Sequence, residues 1–215
     1  MFEFLSEYGR EIVLLTGEHI RLTLVSVGAA ILFSVPGGIA LTRFGKLAAS
    51  VLGFASVIQT VPSLALFGLV IPLLMAVSLP IIGFFPAFLA LFLYALLPIL
   101  RNTYTGIRQV DPAIREAAEG IGMTDMQILR KVELPLSLPV IMAGIRTSVV
   151  ISVGVATLAA LIGAGGLGEL IFRGLRTINY KLMLAGAVPA ALLALAFDVL
   201  LGRVERWLTP RRISR

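Results

Sequence analysis

The sequence predicts an all-α membrane protein with about five transmembrane helices. Only 14% of its 215 residues are charged and 58% are hydrophobic, with a mean hydropathy of +0.99, whereas a soluble domain has about 25% charged residues. Several uncharged stretches are as long as the roughly 20 residues that a helix needs to cross a bilayer. The basic residues cluster at the ends of these stretches, which is the pattern of membrane topology.

The composition also limits the possible chemistry. The chain has no cysteine and one histidine, His19, so disulfides and thiolate metal sites are excluded and a zinc site is not expected. The net charge of +6 is explained by the basic span ends, so nucleic acid is not an expected partner. Residues 1–21 carry six charges and lack a sufficiently long apolar core, which argues against a cleavable signal peptide.

The chain begins with a short amphipathic segment. Residues 1–18 have their apolar side chains at helical spacing, which predicts a helix lying at the extracytoplasmic interface. The transmembrane domain then occupies residues 19–202. Its first span is predicted at 22–42, where no residue is charged, with a kink at Pro36.

The longest uncharged stretch, residues 47–100, is too long for one span. As a single helix it would measure about 80 Å, against about 30 Å of hydrocarbon. Turn residues between Ser78 and Pro86 divide it into predicted spans at 51–75 and 84–101.

A polar group of residues lies inside the second predicted span. The sequence from Gln59 to Ser63 includes Pro62, which frees backbone groups that Gln59 and the hydroxyls can help to satisfy. Two interpretations stay open: these residues hold helices together, or they line a substrate path together with an aromatic side chain of the third span. The path residues would be Gln59, Thr60, Pro62, Ser63 and Tyr94.

The last third of the chain predicts two more spans. One covers 140–162 and is rich in small residues that permit close helix packing. The run Gly163–Gly168 then breaks the helix; it matches G-x-G-x-x-G only formally, because no strand precedes it. A short amphipathic helix at 169–178 leads to the last span at 182–202. Asp198 is the one charge of that span, and we expect it near Arg203 or at the interface.

Charge asymmetry predicts the orientation. With five spans and residues 111–139 in the cytoplasm, thirteen of the 18 basic residues are cytoplasmic and five are not, so the positive-inside rule places the N-terminus outside and the C-terminus in the cytoplasm. Residues 203–215 then form a basic cytoplasmic tail.

The stretch 111–139 is the longest polar segment between apolar blocks. Asp111 is positioned to cap a first helix with Pro112 at its first turn, and Gly120 and Gly122 should stop that helix. Thr124 begins a capping-box pattern for a second helix, which we expect Pro135 to end. The five acidic and three basic residues of the stretch are Asp111, Glu116, Glu119, Asp125 and Glu133, and Arg115, Arg130 and Lys131.

This stretch resembles the signature loop of binding-protein-dependent ABC importer permeases. The family pattern is Glu-Ala-Ala, three residues, glycine, nine residues, then an aliphatic residue, any residue, Leu-Pro. Here Glu116-Ala117-Ala118, Gly122 and Val132-Glu133-Leu134-Pro135 meet it, and the one departure is Val132 in place of the usual isoleucine.

The resemblance implies a type I ABC importer permease fold over about residues 19–202, in a bacterial inner membrane. In that family the loop forms a coupling helix that docks into a cytoplasmic ATPase, two permease chains pair, and an extracytoplasmic binding protein delivers the solute. On this resemblance the coupling positions are Glu116, Ala117, Ala118, Gly122, Leu134 and Pro135.

Further stretches resemble the osmoprotectant branch of the family, which imports glycine betaine, choline or carnitine. These are residues 59–65, 100–103, 106–107 and 163–168. A quaternary ammonium is commonly held by aromatic faces, so Tyr94, Phe88 and Phe92 are candidates to line a path for such a solute. A permease for an amino acid or another small solute is the alternative within the family. A secondary transporter or channel is the alternative outside it, although intramembrane charges or repeats would then be expected.

The chain itself is not expected to be an enzyme. It has no G-x-x-x-x-G-K-[ST] motif for ATP, and no nucleophile and base pattern. The expectation is therefore that ATP and Mg²⁺ bind to the partner ATPase and that this chain carries no cofactor.

Overall fold

The computed structural model describes residues 2–208, with the side chains of residues 8–45 and 47–208. Residues 209–215 of the predicted basic tail lie outside the described part. A π-helical segment, Leu129–Glu133, lies directly before the α-helix that begins at Leu134, and a 3₁₀ turn, Ala159–Ile162, follows that helix. The α-helices are α1 (Phe2–Arg43), α2 (Gly45–Thr60), α3 (Ser63–Ala76), α4 (Phe84–Arg108), α5 (Pro112–Gly120), α6 (Asp125–Ile128), α7 (Leu134–Leu158), α8 (Gly168–Thr177) and α9 (Tyr180–Leu208).

Four long helices of the described chain can cross a membrane, and the count is five if a bent helix pair is taken as one span. The bent pair is Leu47–Thr60 with Ser63–Ala76, and the bend between them is 109°. The predicted all-α membrane fold with about five spans is thereby confirmed. The four continuous helices are Tyr8–Arg43, Phe84–Arg108, Asp125–Ile162 and Tyr180–Leu208.

Helix α1 runs from Phe2 to Arg43 without a break, so the segment predicted at 1–18 is continuous with the first span. Side chains in the described part of this segment pack on other helices. Leu15 is buried against Leu167, Leu170 and Leu182. Buried side chains continue along the described helix from Leu15 through Leu22 and Val27 to Leu41, so its packed face crosses the predicted boundary at residue 18.

Small residues let α1, α4 and α7 approach closely at the center of the bundle. A Cβ atom on Gly38 of α1 would lie 2.7 Å from Cβ of Thr103. A Cβ atom on Gly144 of α7 would lie 2.6 Å from Cβ of Asn102. Such contacts are closer than side chains tolerate, so the glycines are required for the observed helix separation.

The prediction that Pro135 ends the second loop helix is wrong. The helix continues from Asp125 through the π segment into α7. The amide of Leu134 bonds to the carbonyl of Leu129, five residues back, so the hydrogen-bond register changes just before the proline. A π-helical turn of this kind leaves room for a proline that has no N–H to donate.

The bundle has two distinct ends. At one end, here named the glycine end, the run Gly163–Gly168 interrupts the helix as predicted, with positive φ at Gly163, Gly165 and Gly166. Helix α8 follows, close to the predicted 169–178. At the other end, here named the loop end, α5 lines a cavity together with the last turns of α1 and α4.

Candidate coupling loop and the bend in the second span

The loop begins with a well-capped helix. The side chain of Asp111 accepts a hydrogen bond of 2.9 Å from the amide of Ala113, and Pro112 occupies the first turn of α5. Both features agree with the helix start that the sequence predicts at Asp111 and Pro112. Within α5, Ala118 is buried, whereas Glu116 and Ala117 are exposed. The cap therefore fixes a short helix that presents Glu116 and Ala117 outward.

A glycine turn separates α5 from α6. Gly122 has φ +82°, a left-handed conformation that other residues adopt only with strain. The amide of Gly122 bonds to the carbonyl of Glu119 at 2.9 Å, and the amide of Met123 bonds to that of Ala118 at 3.1 Å. These bonds close the end of α5 and turn the chain sharply toward α6.

The predicted capping box of α6 is present. The amide of Gln127 donates to Oγ1 of Thr124 at 3.4 Å, and the amide of Thr124 donates to Oε1 of Gln127 at 2.8 Å. Two helix-end amides are thus satisfied by side chains of the same segment. The loop consequently consists of the short helix α5 and the capped start of the long helix that continues into α7.

The outer surface of the loop is apolar for a polar segment. Ile114 is 44% exposed, Ile121 80% and Met126 54%. The carboxylate of Glu116 is also exposed, and it has no ion pair among the residues that the structure describes. Exposed apolar side chains on a polar loop are typical of a protein interaction site.

Arginine and acidic side chains tie the loop together. Arg115 lies 3.0 Å from Glu119, 3.7 Å from Asp125 and 3.6 Å from Glu133. The hydrogen bond that Arg115 donates to Glu119 raises the pKa of Arg115 above its ordinary value, and the negative charges nearby act in the same direction. The guanidinium therefore stays charged at every physiological pH.

Glu133 is the residue of this network that our sequence reasoning did not single out. Its side chain is only 4% exposed, and its Oε2 atom lies 2.9 Å from Nη2 of Arg43. It occupies the unspecified position of the signature between Val132 and Leu134. A charged residue directly before Leu-Pro at the start of a span was the available signal.

Leu134 and Pro135 are half-buried at the start of α7. Leu134 packs against the core cluster that contains Val27 and Ile141. The two residues thus join the loop to the bundle interior, whereas Glu116 and Ala117 lie on its outside.

The polar group in the second span lies at the bend between α2 and α3. Tyr94 of α4 donates its hydroxyl hydrogen to the carbonyl of Val61, and Gln59 donates to the carbonyl of Tyr94 at 3.4 Å. The carbonyl of Val61, at the end of α2, is therefore satisfied by Tyr94 and not by Gln59. This geometry agrees with the helix-holding interpretation, while Thr60 and Pro62 remain exposed on the outer side of the bend.

The aromatic side chains of α4 pack on each other. The ring centroids of Phe84 and Phe88 are 6.3 Å apart, and those of Phe88 and Phe92 are 6.1 Å apart. The guanidinium of Arg21 lies 4.8 Å from the centroid of Phe84. The rings form a stack along one side of α4, and they do not enclose a cage with Tyr94.

Asp198 has a different partner from the one expected. Its Oδ1 atom lies 2.9 Å from Nη2 of Arg146 on α7, and Arg203 is exposed. Arg146 also contacts Glu205 at 3.0 Å. The partner was missed because it is 52 residues away in the sequence.

The described chain is a helical membrane bundle with an exposed, capped loop at one end. The family model described as "Binding-protein-dependent transport system inner membrane component" matches residues 31–214, and the chain belongs to this family. It is a multi-pass inner-membrane protein. The family consists of permease subunits of ABC transporters, which are not the catalytic subunits.

Similar proteins of known function support this assignment. The chain is 47% identical to the glycine betaine/carnitine/choline transport system permease protein OpuCB of Bacillus subtilis (strain 168), over 100% of this chain and 96% of that protein. It is 49% identical to the osmoprotectant import permease protein OsmW of Salmonella typhimurium, over 93% of this chain and 92% of that protein.

Solved structures show the same fold. A chain of the MetNI methionine ABC transporter in an inward-facing conformation superposes with a TM-score of 0.83 at 25% identity, covering 93% of this chain and 96% of that one. A second crystal form gives 0.78 at 27% identity, covering 90% and 94%. These similarities confirm the predicted type I ABC importer permease fold.

Proposed function

We propose that this permease imports an osmoprotectant such as glycine betaine, choline or carnitine, and that a separate cytoplasmic ATPase drives it. The support for the cargo is the similarity over nearly the whole chain to permeases named for these solutes. The single observation that carries the ATP-driven mechanism is the capped loop, α5 to α6, which exposes both apolar side chains and the carboxylate of Glu116.

The loop is suited to receive force from another protein. Ile114, Ile121 and Met126 offer apolar area, and Glu116 can form an ionic contact at the rim of a cleft. The capping bonds of Asp111 and Thr124 hold the helices without help from a partner. A pre-formed helix loses little conformational entropy on docking, so the contact can transmit movement.

The proposed orientation places the loop end in the cytoplasm, as the distribution of basic residues favours. ATP and Mg²⁺ then bind to the ATPase, because the sequence has no motif for nucleotide phosphates. A second permease chain, either a copy of this one or a related protein, completes the pore. An extracytoplasmic binding protein delivers the solute to the glycine end.

A neutral or singly cationic solute suits the interior of the bundle. Apart from Glu133 at the loop end, the buried polar groups of the described spans are hydroxyls and one imidazole, including His19, Thr23, Ser26, Ser148 and Ser152. The arginine and acid pair of Arg146 and Asp198 lies at the side of the bundle, between α7 and α9. An amino-acid cargo is the second candidate, favoured by the structural similarity to a methionine transporter.

The experiment is reconstitution of this permease with its ATPase and binding protein in liposomes. We expect uptake of radiolabelled glycine betaine or choline that requires ATP and the loaded binding protein. ATPase stimulation by L-methionine, without stimulation by any quaternary ammonium compound, would reject the osmoprotectant assignment. Uptake that continues without ATP would reject the ATP-driven mechanism in favour of a secondary transporter.

A further inference from the structure

Glu133 lies where three parts of the protein meet at the loop end. It belongs to the π segment that leads into α7, and its side chain is 4% exposed. Its Oε2 atom contacts Arg43, the last residue of α1, at 2.9 Å, and its Oε1 atom contacts Arg115 of α5 at 3.6 Å. Each carboxylate oxygen therefore binds an arginine from a different helix.

The link between α5 and α1 is electrostatic and has little apolar packing to support it. A cavity of about 260 Å³ lies between the two helices, and Thr42, Arg43, Arg108, Arg115 and Glu133 are among its lining residues. Helix α5 buries one side chain of its own, Ala118. Displacement of α5 can reach α1 by few routes other than the contacts of Glu133.

Burial of the Glu133 carboxylate makes it costly to leave without a partner, while its two arginine partners are partly exposed. An ion pair is weakly screened where water is excluded, and removal of one member of a buried pair leaves the other charges unpaired. Without Glu133, Arg43 and Arg115 would face each other across the cavity as like charges. Glu133 therefore holds the two helices at a fixed separation.

We propose that Glu133 is a positioning residue that joins the coupling helix α5 to the end of α1, so that movement of the loop reaches α1 as well as α7. This inference rests on the proposed docking of an ATPase to the loop. Since α7 continues directly from the loop, it moves with the loop by covalent connection. The ion pairs pass movement of the loop to α1 as well, and α1 packs along α4.

The test is the ratio of glycine betaine taken up to ATP hydrolysed in liposomes that contain the complete transporter. In Glu133→Gln, which keeps the shape and removes the charge, we expect the ATPase to bind and hydrolyse ATP while uptake per ATP falls about fivefold or more, the lower range of measured coupling between sites. Arg43→Gln, at a partly exposed side chain, provides a second variant with the same expected loss. Arg108→Gln is the matched control, because it lines the same cavity and should leave the ratio unchanged.

A double variant distinguishes transmission of movement through Glu133 from independent structural effects of the two arginines. If Arg43 and Arg115 act in series through Glu133, the Arg43→Gln/Arg115→Gln chain should lose no more coupling than the worse single variant. Losses that multiply, or an unchanged ratio in Glu133→Gln, would overturn the proposal. If Glu116→Lys uncouples transport and Glu133→Gln does not, only this inference fails; if neither does, the proposed role of the loop fails.

Discussion

Arg146 of α7 donates two hydrogen bonds to Asp198 of α9. Its Nε atom lies 3.1 Å and its Nη2 atom 2.9 Å from the same carboxylate oxygen. Its third nitrogen, Nη1, donates to Glu205 at 3.0 Å. Gly202 lies beside the guanidinium, where a Cβ atom would come within 3.4 Å of Cζ. One arginine thus fixes two turns of α9 to α7.

Replacement of Arg146 by methionine should destabilize the protein. The change leaves Asp198 and Glu205 as neighbouring negative charges without this cation, and they repel each other. We expect a lower apparent melting temperature in detergent, with partial recovery in the Arg146→Met/Asp198→Asn double variant. Arg203→Met, on the exposed side of the same helix, is the control, and equal losses in both single variants would contradict the assigned role.

Gly168 should tolerate no side chain. A Cβ atom there would lie 1.8 Å from the carbonyl oxygen of Thr157, whereas a Cβ atom on Gly154 would meet nothing within 4 Å. We expect Gly168→Ala to abolish the recovery of monodisperse protein. Gly154→Ala should keep or raise stability, by about 0.5–1 kcal/mol, because alanine favours a helix interior. Similar behaviour of the two variants in size-exclusion chromatography would refute the close packing of α8 on the end of α7.

Tyr94 should stabilize the bend between α2 and α3 by its hydrogen bond to the backbone, and it should not affect the affinity for the solute. Tyr94→Phe removes the hydroxyl that bonds to Val61 and leaves a partly buried carbonyl without its donor, at a cost of about 1–3 kcal/mol. We expect reduced thermal stability with an unchanged KM for uptake, while Tyr180→Phe, at an exposed side chain, changes neither. A changed KM with normal stability would instead support a substrate path at Tyr94.

Cysteine labelling can establish the orientation, because the chain has no native cysteine. Met126 at the loop end is 54% exposed and Leu175 at the glycine end is 53% exposed, so the two sites are matched in accessibility. We expect an impermeant maleimide to label Leu175→Cys in intact spheroplasts and Met126→Cys only after permeabilization. The reverse pattern would show that the predicted orientation is inverted.

Local signals made the loop predictable. The cap of Asp111 joins residues that are two apart in sequence, and the capping box of Thr124 joins residues three apart, so neighbouring residues alone specify both. The apolar stretches likewise predicted the spans, because bilayer thickness sets their length.

The missed features depend on long-range contacts. The pair of Tyr94 and Val61 joins residues 33 apart, and the pair of Arg43 and Glu133 joins residues 90 apart. Their geometry follows from how α1, α4 and α7 pack, which hydropathy does not encode. The error at Pro135 has a local cause, since a π-helical turn removes the need for the amide that proline lacks.

The most direct test of the account is reversal of the charge at Glu116. Glu116 is exposed, and within the described chain it has no ion pair whose loss would disturb the fold. In liposomes with ATPase and binding protein, we expect Glu116→Lys to insert normally but to lower glycine betaine uptake about tenfold, equivalent to about 1.4 kcal/mol. Glu169→Lys, an equal reversal at an exposed residue of the glycine end, should still retain the ATPase on purification. Unchanged ATP-dependent uptake by Glu116→Lys would contradict the role of the loop in coupling.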